Sequence, residues 1–406
     1  MIRIGLITIG TELLNGTRVD TNAAWIGNAV IGVGAQVIWH LTVDDQKESI
    51  LRALNNNLST VDVILTTGGL GPTHDDITPL ALYEYFESEP VFDSEYWEEL
   101  TEKFVRRGKT IPESNRNQAF RPDKGNVIPN PVGTARGLHF THPDFQLFAM
   151  PGVPAEMQAM MKNTVLPWIS DHSHDRIATI LLRTTGIMES ALYQKLDHDL
   201  KTSPSIEFAF LPKMTGVDLR IRADDQKQLN GFIDQIRPKI SKYYYGNDST
   251  ELEDAVGALL REKQFTIATA ESCTGGLIGD RITNTSGSSD YMRGGVVAYS
   301  NEVKMSLLGV KKSTLDSVGA VSPETAAEMA LGMRDLVQTD LGLSTTGIAG
   351  PTGGTELKPV GLVYVGLAYS SGVKTWEFRF TTDRKTNKLM TSQAALNIIR
   401  RYLLDA

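Results

Sequence analysis

The first third of the chain alternates β-branched apolar runs with amphipathic segments, and this alternation limits the fold more than any other feature. The runs Ile2–Ile9, Gln36–Val43 and Val61–Thr67 predict strands, and Thr21–Ile31 and Gln46–Leu58 predict the helices between them. Strands that alternate with helices of this length form parallel, doubly wound sheets. The segment therefore predicts an α/β domain.

Three polar loops follow these three predicted strands. They are Gly10–Gly16 after the first strand, Asp44–Asp45 after the second and Gly68–Asp76 after the third. Ligands of parallel sheets bind beyond the carboxyl ends of the strands, where such loops meet. Glycines there permit positive φ and close approach of the backbone to a ligand, and acidic residues can hold a cation. A ligand site is therefore predicted at this edge of the sheet.

With 406 residues the chain is too long for a single domain with one hydrophobic core, and we predict three parts. Residues 1–170 and 249–406 are predicted to be two doubly wound α/β domains, joined by a small βαββα unit over 175–246 that is similar to KH modules. RNA-binding KH modules clamp the nucleic acid with a Gly-x-x-Gly loop, and the sequence has none between these elements. We expect a spacer or dimerisation role for the small unit.

Composition excludes several classes of protein. The single cysteine, Cys273, excludes an internal disulfide framework and a CxxC zinc site. A net charge of −8 argues against a general nucleic-acid binder. No apolar run is long enough to span a membrane, and no basic segment with a cleavage site indicates export. We expect a cytoplasmic protein.

The segment Gly287–Lys304 concentrates groups that can perform nucleophilic chemistry. Ser289 lies in a Gly-Ser-Ser turn, Gly294–Ala298 predicts a buried strand, Tyr299 follows it, and Lys304 falls early in the next helix. No histidine occurs beyond residue 249, so a base there must be lysine, tyrosine or a carboxylate. A desolvated lysine can activate a hydroxyl, and we predict that one strand end gathers all three groups. On spacing alone, a surface turn with a solvated lysine is the commoner alternative.

Motifs along the whole chain resemble those of CinA-like proteins. They are TAESCTGG (269–276), GSSDYMRGGVVAYSNEVK (287–304), GAVSPETA (319–326), TTGIAGPTGG (345–354), KPVG (358–361), ITIGTELLNG (7–16), DTN (20–22), GGLGPTHDD (68–76) and MPGVPAEM (150–157). The resemblance implies a C-terminal nicotinamide mononucleotide (NMN) deamidase. It also implies an N-terminal domain with the fold of molybdopterin-binding enzymes, which hydrolyses ADP-ribose in some members.

Carried over by position, the resemblance implies that Ser289 is the deamidase nucleophile. It also implies that Tyr299 and Lys304 are the groups that activate its hydroxyl. Ser272 is the alternative nucleophile, and we otherwise expect it to line the pocket or to cap the following helix. Cys273 has no histidine in its domain to activate it and is expected to be a small buried residue. The deamidase is expected to need no metal, because residues 249–406 contain no cluster with ligand spacing.

The resemblance also implies substrate contacts at Thr346 and Arg384, and Gly347 is expected to join them. Backbone N–H groups of the glycine-rich turns at 274–276 and 347–354 can bind an oxyanion or a phosphate. A phosphate favours a helix N-terminus with an arginine. Arg384, at the start of the predicted last helix, is therefore expected to bind the 5′-phosphate of NMN.

In the N-terminal domain, Asp45 and Asp76 correspond to the paired aspartates of the molybdopterin-binding fold. Leu70 stands where transferases of that fold usually carry a small hydroxylated residue, which disfavours molybdopterin chemistry. Hydrolysis of ADP-ribose suits a divalent metal ion held by the two aspartates, and an inert scaffold is the alternative. The other residues expected to contact the substrate are Glu12, Gly68, Gly69 and Gly71.

These inferences predict a homodimeric, bifunctional hydrolase of pyridine-nucleotide salvage. One domain is expected to convert NMN to nicotinic acid mononucleotide and ammonia, and the other to cut ADP-ribose to AMP and ribose 5-phosphate. Two alternatives stay open: a monofunctional deamidase with an inert N-terminal scaffold, and a non-enzymatic partner protein linked to DNA uptake or recombination. The acidic net charge weighs against direct binding of nucleic acid.

Overall fold

The chain forms two compact units in the computed structural model. The described residues are 1–56, 60–73, 75–173, 178–381 and 383–406. The first unit contains residues 1–179 and 224–226, and the second contains residues 180–223 and 227–406. Residues 57 and 58 of the predicted second helix, and residues 175–177 of the predicted small unit, lie outside the described residues. No helix in the described ranges is both long and apolar enough to cross a bilayer.

The first unit is built on one six-stranded sheet. Its elements in chain order are β1 (Ile2–Ile9), α1 (Thr11–Leu14), α2 (Thr21–Ile31), β2 (Ala35–Val43), α3 (Lys47–Asn56), β3 (Val63–Thr67), α4 (Thr78–Tyr85), β4 (Pro90–Phe92), α5 (Ser94–Arg106), β5 (Phe120–Pro122), β6 (Asn126–Ile128), β7 (Gly137–Thr141), β8 (Gln146–Met150), α6 (Pro154–Met160) and α7 (Leu166–His172). The strand order is β2-β1-β3-β8-β7-β6, and β4 and β5 form a separate two-stranded antiparallel sheet. Strands β1, β2, β3 and β8 are parallel, and β6 and β7 are antiparallel to their neighbours.

Alternation along these strands explains why helices cover both faces of the sheet. Leu6 packs into one apolar cluster with residues of α2, α6 and α7, and the next residue, Ile7, packs into the other with residues of α3 and α4. Successive side chains of a strand point to opposite faces, so an uninterrupted apolar strand needs cover on both sides. The five residues of β3 are all buried for this reason.

A small four-stranded sheet lies almost wholly in the second unit. Its elements are β9 (Ala178–Thr184), α8 (Glu189–Thr202), β10 (Glu207–Lys213), β11 (Gly216–Ala223), α9 (Gln226–Ile240) and β12 (Tyr244–Asn247), with strand order β10-β11-β9-β12. The predicted βαββα order is observed, and a further strand follows the last helix. Helix α9 ends at Ile240, and the tyrosines that follow enter β12, which pairs antiparallel with β9. Aromatic residues favour such half-buried strands.

The rest of the second unit is another α/β sheet. Its elements are α10 (Leu252–Lys263), β13 (Ile267–Glu271), α11 (Leu277–Asn284), β14 (Met292–Val297), α12 (Asn301–Leu308), α13 (Lys312–Val318), α14 (Pro323–Val337), β15 (Leu341–Gly347), β16 (Leu362–Tyr369), β17 (Gly372–Arg379) and α15 (Arg384–Asp405). The strand order is β14-β13-β15-β16-β17. The first three strands are parallel and the last two antiparallel, with α10, α11 and α15 on one face and α12 and α14 on the other. The predicted fold class is confirmed.

Candidate active site

The loop after β13 holds Ser272 in a fixed position. The Ser272 N–H donates to the carbonyl of Thr345 on β15 at 2.9 Å. The preceding Glu271 is buried, and its carboxylate accepts three N–H groups at the start of α11 at 2.8 to 3.1 Å. A carboxylate at a helix N-terminus satisfies N–H groups that lack intrahelical partners. Ser272 is thereby fixed between a strand and a capped helix.

Lys304 brings a buried amine to this serine. Helix α12 begins after Ser300, whose hydroxyl caps it by accepting the N–H of Val303. Lys304 is 2% exposed, and its Nζ donates to the Ser272 Oγ at 3.2 Å and to the Ala298 carbonyl at 2.8 Å. Within the described ranges no carboxylate lies within ion-pair distance of this amine. Burial therefore lowers the pKa of Lys304 from its ordinary value.

Ser289 lies at the other end of β14, so the predicted grouping of Ser289 with Tyr299 and Lys304 is wrong. Ser289 is exposed in a single helical turn, Ser288–Asp290, that precedes the strand, whereas Tyr299 and Lys304 follow it. A six-residue strand is about 20 Å long, at ~3.3 Å per residue. The hydroxyl that meets the lysine is that of Ser272.

Basic side chains gather at the start of α15, beside the same loop. The Arg384 guanidinium donates to the Tyr299 hydroxyl at 2.7 Å and to the Gly350 carbonyl at 2.9 Å. Lys388, one turn further on, places its Nζ 3.4 Å from the position that a Cβ on Gly275 would occupy. Gly275 has a φ of +62°, a backbone conformation that favours glycine over residues with a side chain. Two cationic side chains at a helix N-terminus favour the binding of an anionic ligand group there.

The loop after β15 is tied to α15 by a buried asparagine. The Asn387 side chain is 1% exposed and donates to the carbonyls of Ala349 and Thr381 at 2.9 and 3.0 Å. Its oxygen accepts the Thr381 N–H at 2.9 Å. Among the described residues, the N–H groups of Ala349 and Gly350 have no hydrogen-bond partner, so they remain available to a ligand.

Three groups that are expected to contact the substrate in this domain are already engaged within the protein. Thr346 is 1% exposed and its hydroxyl donates to the Ala320 carbonyl at 2.6 Å, so it supports the loop from behind. Gly347 packs against β16, where a Cβ would lie 2.7 Å from the Leu362 carbonyl. In the turn at 274–276, the Gly275 and Gly276 N–H groups donate to Ser272 and Glu271, so neither is free to bind an oxyanion.

Cys273 next to the serine is buried, as expected. Burial raises the pKa of its thiol to about 12. A thiol with such a pKa is not ionised at neutral pH and is a poor nucleophile. Cys273 therefore does not compete with Ser272.

In the N-terminal domain, an asparagine links the loops at the strand ends. Asn22, at the start of α2, donates to the Thr67 hydroxyl at 3.0 Å and to the Gly152 carbonyl at 2.9 Å. The same residues, with Glu12 and Asp20, line a small cavity of about 100 Å³. Glu12 is therefore placed at the predicted edge of the sheet.

The two predicted metal ligands each bind a neighbouring threonine. Asp45 accepts the Thr11 N–H at 2.7 Å, and Asp76 accepts the N–H and the hydroxyl of Thr73 at 2.8 and 2.6 Å. Each carboxylate uses only one oxygen, Oδ2, in these bonds. Within the described ranges, no three acidic, histidine or cysteine side chains are grouped as a metal centre.

The glycines of the Gly68–Asp76 loop differ in what surrounds them. A Cβ on Gly68 would clash with the Ile9 carbonyl, and one on Gly69 would clash with the Thr78 hydroxyl. Both glycines therefore permit close packing within the protein, and their approach to a ligand stays a prediction. Gly71 lies against the Asp76 carboxylate and lines a larger pocket next to the loop.

Comparisons with known proteins cover the whole chain. Family models match at residues 5–171 (probable molybdopterin binding domain), 179–246 (damage-inducible protein CinA KH domain) and 249–403 (CinA C-terminal domain). A CinA-like protein of Chloroherpeton thalassium is 42% identical over 413 residues, which cover 98% of each chain. The chain belongs to the CinA-like family. Another relative in this family, from Halothermothrix orenii and named as competence-damage inducible, is 43% identical over 406 residues and 98% of each chain.

Among solved structures, the CinA-like chain is similar to the competence/damage inducible protein CihA of Agrobacterium tumefaciens. The two are 35% identical, and the match covers 38% of this chain and 97% of that one with a TM-score of 0.36.

Three residues at the C-terminal site of this CinA-like chain were missed by sequence reasoning. Glu271 caps α11, Asn387 anchors the loop after β15, and Lys388 adds a second cation. A signal for Glu271 exists, since an acidic residue shortly before a predicted helix indicates a cap. Nothing local marks the bond of Asn387 to Ala349 or the approach of Lys388 to Gly275, because these partners lie far away in the sequence.

Proposed function

We propose that the C-terminal domain hydrolyses the carboxamide of NMN, with Ser272 as nucleophile and Lys304 as its base. The observation that carries the proposal is the 3.2 Å contact between the Lys304 Nζ and the Ser272 Oγ. A serine hydroxyl is a weak nucleophile unless a neighbouring base takes its proton. A buried lysine without an acidic partner loses its own proton more readily than a solvated one and can act as that base.

The reaction follows from this pair. Neutral Lys304 takes the Ser272 proton as the oxygen attacks the amide carbon, and the resulting ammonium returns that proton to the amide nitrogen, which leaves as ammonia when the C–N bond breaks. Water then hydrolyses the acyl-serine ester with the same lysine as base, which gives the carboxylate product. The unpaired N–H groups of Ala349 and Gly350 are the candidates for stabilising the oxyanion.

The cationic end of α15 supports a nucleotide substrate rather than a free amide. Arg384 and Lys388 supply positive charge beside the loop that carries Ser272. Tyr299 accepts a hydrogen bond from Arg384, so its own O–H proton remains available for donation to the substrate. A 5′-phosphate at this helix end would place the nicotinamide ring toward the serine.

Replacing Arg384 with alanine is expected to raise KM for NMN by about 10- to 100-fold, because a charge-assisted hydrogen bond contributes ~1.5–3 kcal/mol. kcat should change little, since a phosphate contact remote from the amide stabilises ground and transition states equally. Steady-state kinetics with NMN measure both parameters. Lys388→Ala should show the same pattern. Nicotinamide riboside, which lacks the phosphate, is the control, and equal losses on both substrates would exclude Arg384 as the phosphate contact.

We further propose that the N-terminal domain hydrolyses ADP-ribose, which places both activities in pyridine-nucleotide salvage. Asp45 and Asp76 lie in loops at the carboxyl ends of β2 and β3, on either side of β1. Among the described residues, neither Asp45 Oδ1 nor Asp76 Oδ1 has a hydrogen-bond partner. Mg²⁺ is commonly bound by one or two carboxylates together with substrate phosphates, so this donor set fits a divalent cation. Such a cation would neutralise the diphosphate oxygens when bound.

Asp76→Asn is expected to lower ADP-ribose hydrolysis by about 10²-fold, because even indirect support of a metal ligand contributes ~10- to 100-fold. NMN deamidation by the same protein should be unchanged. Asp75→Asn, which makes the same charge change in the same loop, is the matched control. Excess chelator should abolish hydrolysis of ADP-ribose and leave deamidation intact. Hydrolysis at the parent rate in Asp76→Asn would refute this mechanism and favour an inert scaffold.

A further inference from the structure

Helix α15 extends from the candidate active site to the KH-like unit, which consists of β9 to β12 with α8 and α9. Its first two turns carry Arg384, Asn387 and Lys388 at that site. The helix has 22 residues and is about 33 Å long at ~1.5 Å per residue. Because a packed helix moves largely as one body, the contacts of its far half also determine where its first turns lie.

A buried arginine binds the far half of α15 to the KH-like unit. Arg400 is 2% exposed, and its guanidinium donates to the carbonyls of Lys242 and Tyr244 at 2.6 and 2.7 Å. Both carbonyls lie between the end of α9 and the start of β12. Among the described residues, no carboxylate forms an ion pair with Arg400. A buried cation without an anionic partner is costly unless its donors are satisfied, so these bonds fix the helix against the KH-like unit.

A second contact with the KH-like unit lies midway along the helix. Gln393 is 6% exposed, and its Nε2 donates to the hydroxyl of Thr185 at 3.1 Å. Thr185 follows β9 and donates in turn to the Thr215 carbonyl at 2.7 Å. The Gln393 oxygen accepts an N–H of Arg281 on α11 at 2.9 Å. A side-chain amide that is bonded on both sides has one orientation, so the middle of α15 is held between the KH-like unit and α11.

Arg281 extends this buried network to the loop of the candidate nucleophile. It is 9% exposed, donates to the Ser392 hydroxyl of α15 at 2.8 Å, and forms an ion pair with Glu253 of α10 at 2.7 Å. Helix α11, which carries Arg281, starts from the loop of Ser272 and is capped by Glu271. The network therefore joins the two helices that start at the active site to each other and to the KH-like unit.

We propose that Thr185, Gln393 and Arg400 are positioning residues of the deamidase, through which the KH-like unit holds the start of α15 in place. The proposal rests on the NMN deamidase proposed above and deepens it, because it gives the KH-like unit a part in substrate affinity. Each residue acts through the helix rather than by touching the substrate. A phosphate at Arg384 and Lys388 needs both groups within about 0.5 Å of their productive positions.

Arg400→Met tests the far contact, because methionine keeps an unbranched stem and removes the guanidinium. KM for NMN should rise by about 3- to 30-fold, since substitutions remote from a ligand change a coupled affinity by up to that factor. kcat should change little, because a displaced phosphate contact weakens ground and transition states equally. KM for nicotinamide riboside, which has no phosphate, should keep the parent value.

This pattern distinguishes positioning from stability. A loss of folded protein lowers kcat on both substrates and leaves both KM values unchanged. Arg400→Lys keeps the charge and can still donate to one carbonyl, so it should restore part of the affinity for NMN. Equal changes in KM on NMN and nicotinamide riboside would contradict an action through the phosphate contact.

Thr185→Val is the second variant, because it removes one hydroxyl on the side of the KH-like unit and nearly keeps the shape. It should raise KM for NMN by about 2- to 10-fold, as for one lost hydrogen bond. Asp199→Asn is the matched control. Asp199 is 1% exposed and pairs with Lys239 inside the KH-like unit at 2.7 Å, so the change weakens that unit without removing a contact to α15. It should leave KM for NMN unchanged.

Hydrogen exchange measured by mass spectrometry gives a readout that does not depend on activity. In full-length Arg400→Met, amides of residues 386–391 should exchange faster than in Asp199→Asn, although the substitution lies several turns away. If NMN is deamidated but Arg400→Met and Thr185→Val keep the parent KM, the positioning role is wrong and the deamidase stands. If the parent protein does not deamidate NMN while exchange at 386–391 rises in Arg400→Met, the deamidase falls and the control of the helix end by the KH-like unit stands. Unchanged exchange would overturn that control.

Discussion

Replacing Ser272 with alanine is expected to lower kcat/KM for NMN deamidation by about 10³-fold or more, because loss of a nucleophile removes covalent catalysis entirely. Ser289→Ala should leave the rate unchanged. Ser289 is exposed at the amino end of β14, whereas the Ser272 Oγ lies 3.2 Å from the Lys304 Nζ. Chromatographic measurement of nicotinic acid mononucleotide, together with ammonia release, would report both rates.

The two serines form a matched pair for this experiment, since each substitution removes one hydroxyl from the same domain. A Ser272→Ala, Lys304→Met double variant should be little slower than either single variant, because a nucleophile and its base act as one unit. The opposite result, with Ser289→Ala inactive and Ser272→Ala active, would restore the nucleophile that the family resemblance implied and leave the lysine contact without a catalytic role.

The wrong choice of serine shows what spacing along a chain can and cannot specify. The sequence correctly placed a strand before Tyr299 and a helix that carries Lys304, but the strand is a partly exposed edge strand and not the predicted buried one. Ser289 is ten residues from Tyr299, but those residues are extended and separate the two groups by the length of the strand. Ser272 is further away in sequence, yet parallel pairing of β13 with β14 brings both strand ends together.

The same distinction applies to the rest of the molecule. Local patterns predicted the fold class well, because apolar periodicity and helix caps act over a few residues. The loop ties made by Asn387 and the Thr346 hydroxyl depend on pairing between elements distant in the sequence. Such contacts are consequences of tertiary structure and leave no local pattern. Sequence reasoning therefore predicted the edge of each sheet at which we propose a ligand site, but not which side chains meet there.

Lys304→Met is expected to abolish deamidation to a similar extent, by about 10³-fold or more. Lys304→Arg should be equally inactive, because arginine stays protonated and cannot serve as a base. In the parent protein, kcat/KM should rise with pH through the pKa of Lys304, which burial holds below the ordinary 10.5. An arginine variant with substantial activity would show that the lysine supplies only a positive charge.

The thermal stability of the Lys304→Met variant tests the lowered pKa of Lys304 independently of activity. The pKa of Lys304 is lower in the folded than in the unfolded state, so the unfolded chain binds more protons between the folded pKa and 10.5. Stability therefore rises with pH across that window, and the cost of burying the lysine is greatest below it. Lys304→Met removes this cost. Its melting temperature relative to the parent should be higher near neutral pH than near the ordinary lysine pKa. A difference in melting temperature that does not vary with pH would show that Lys304 keeps an ordinary pKa in the folded protein, and the lysine would then be protonated and unable to activate Ser272 near neutral pH.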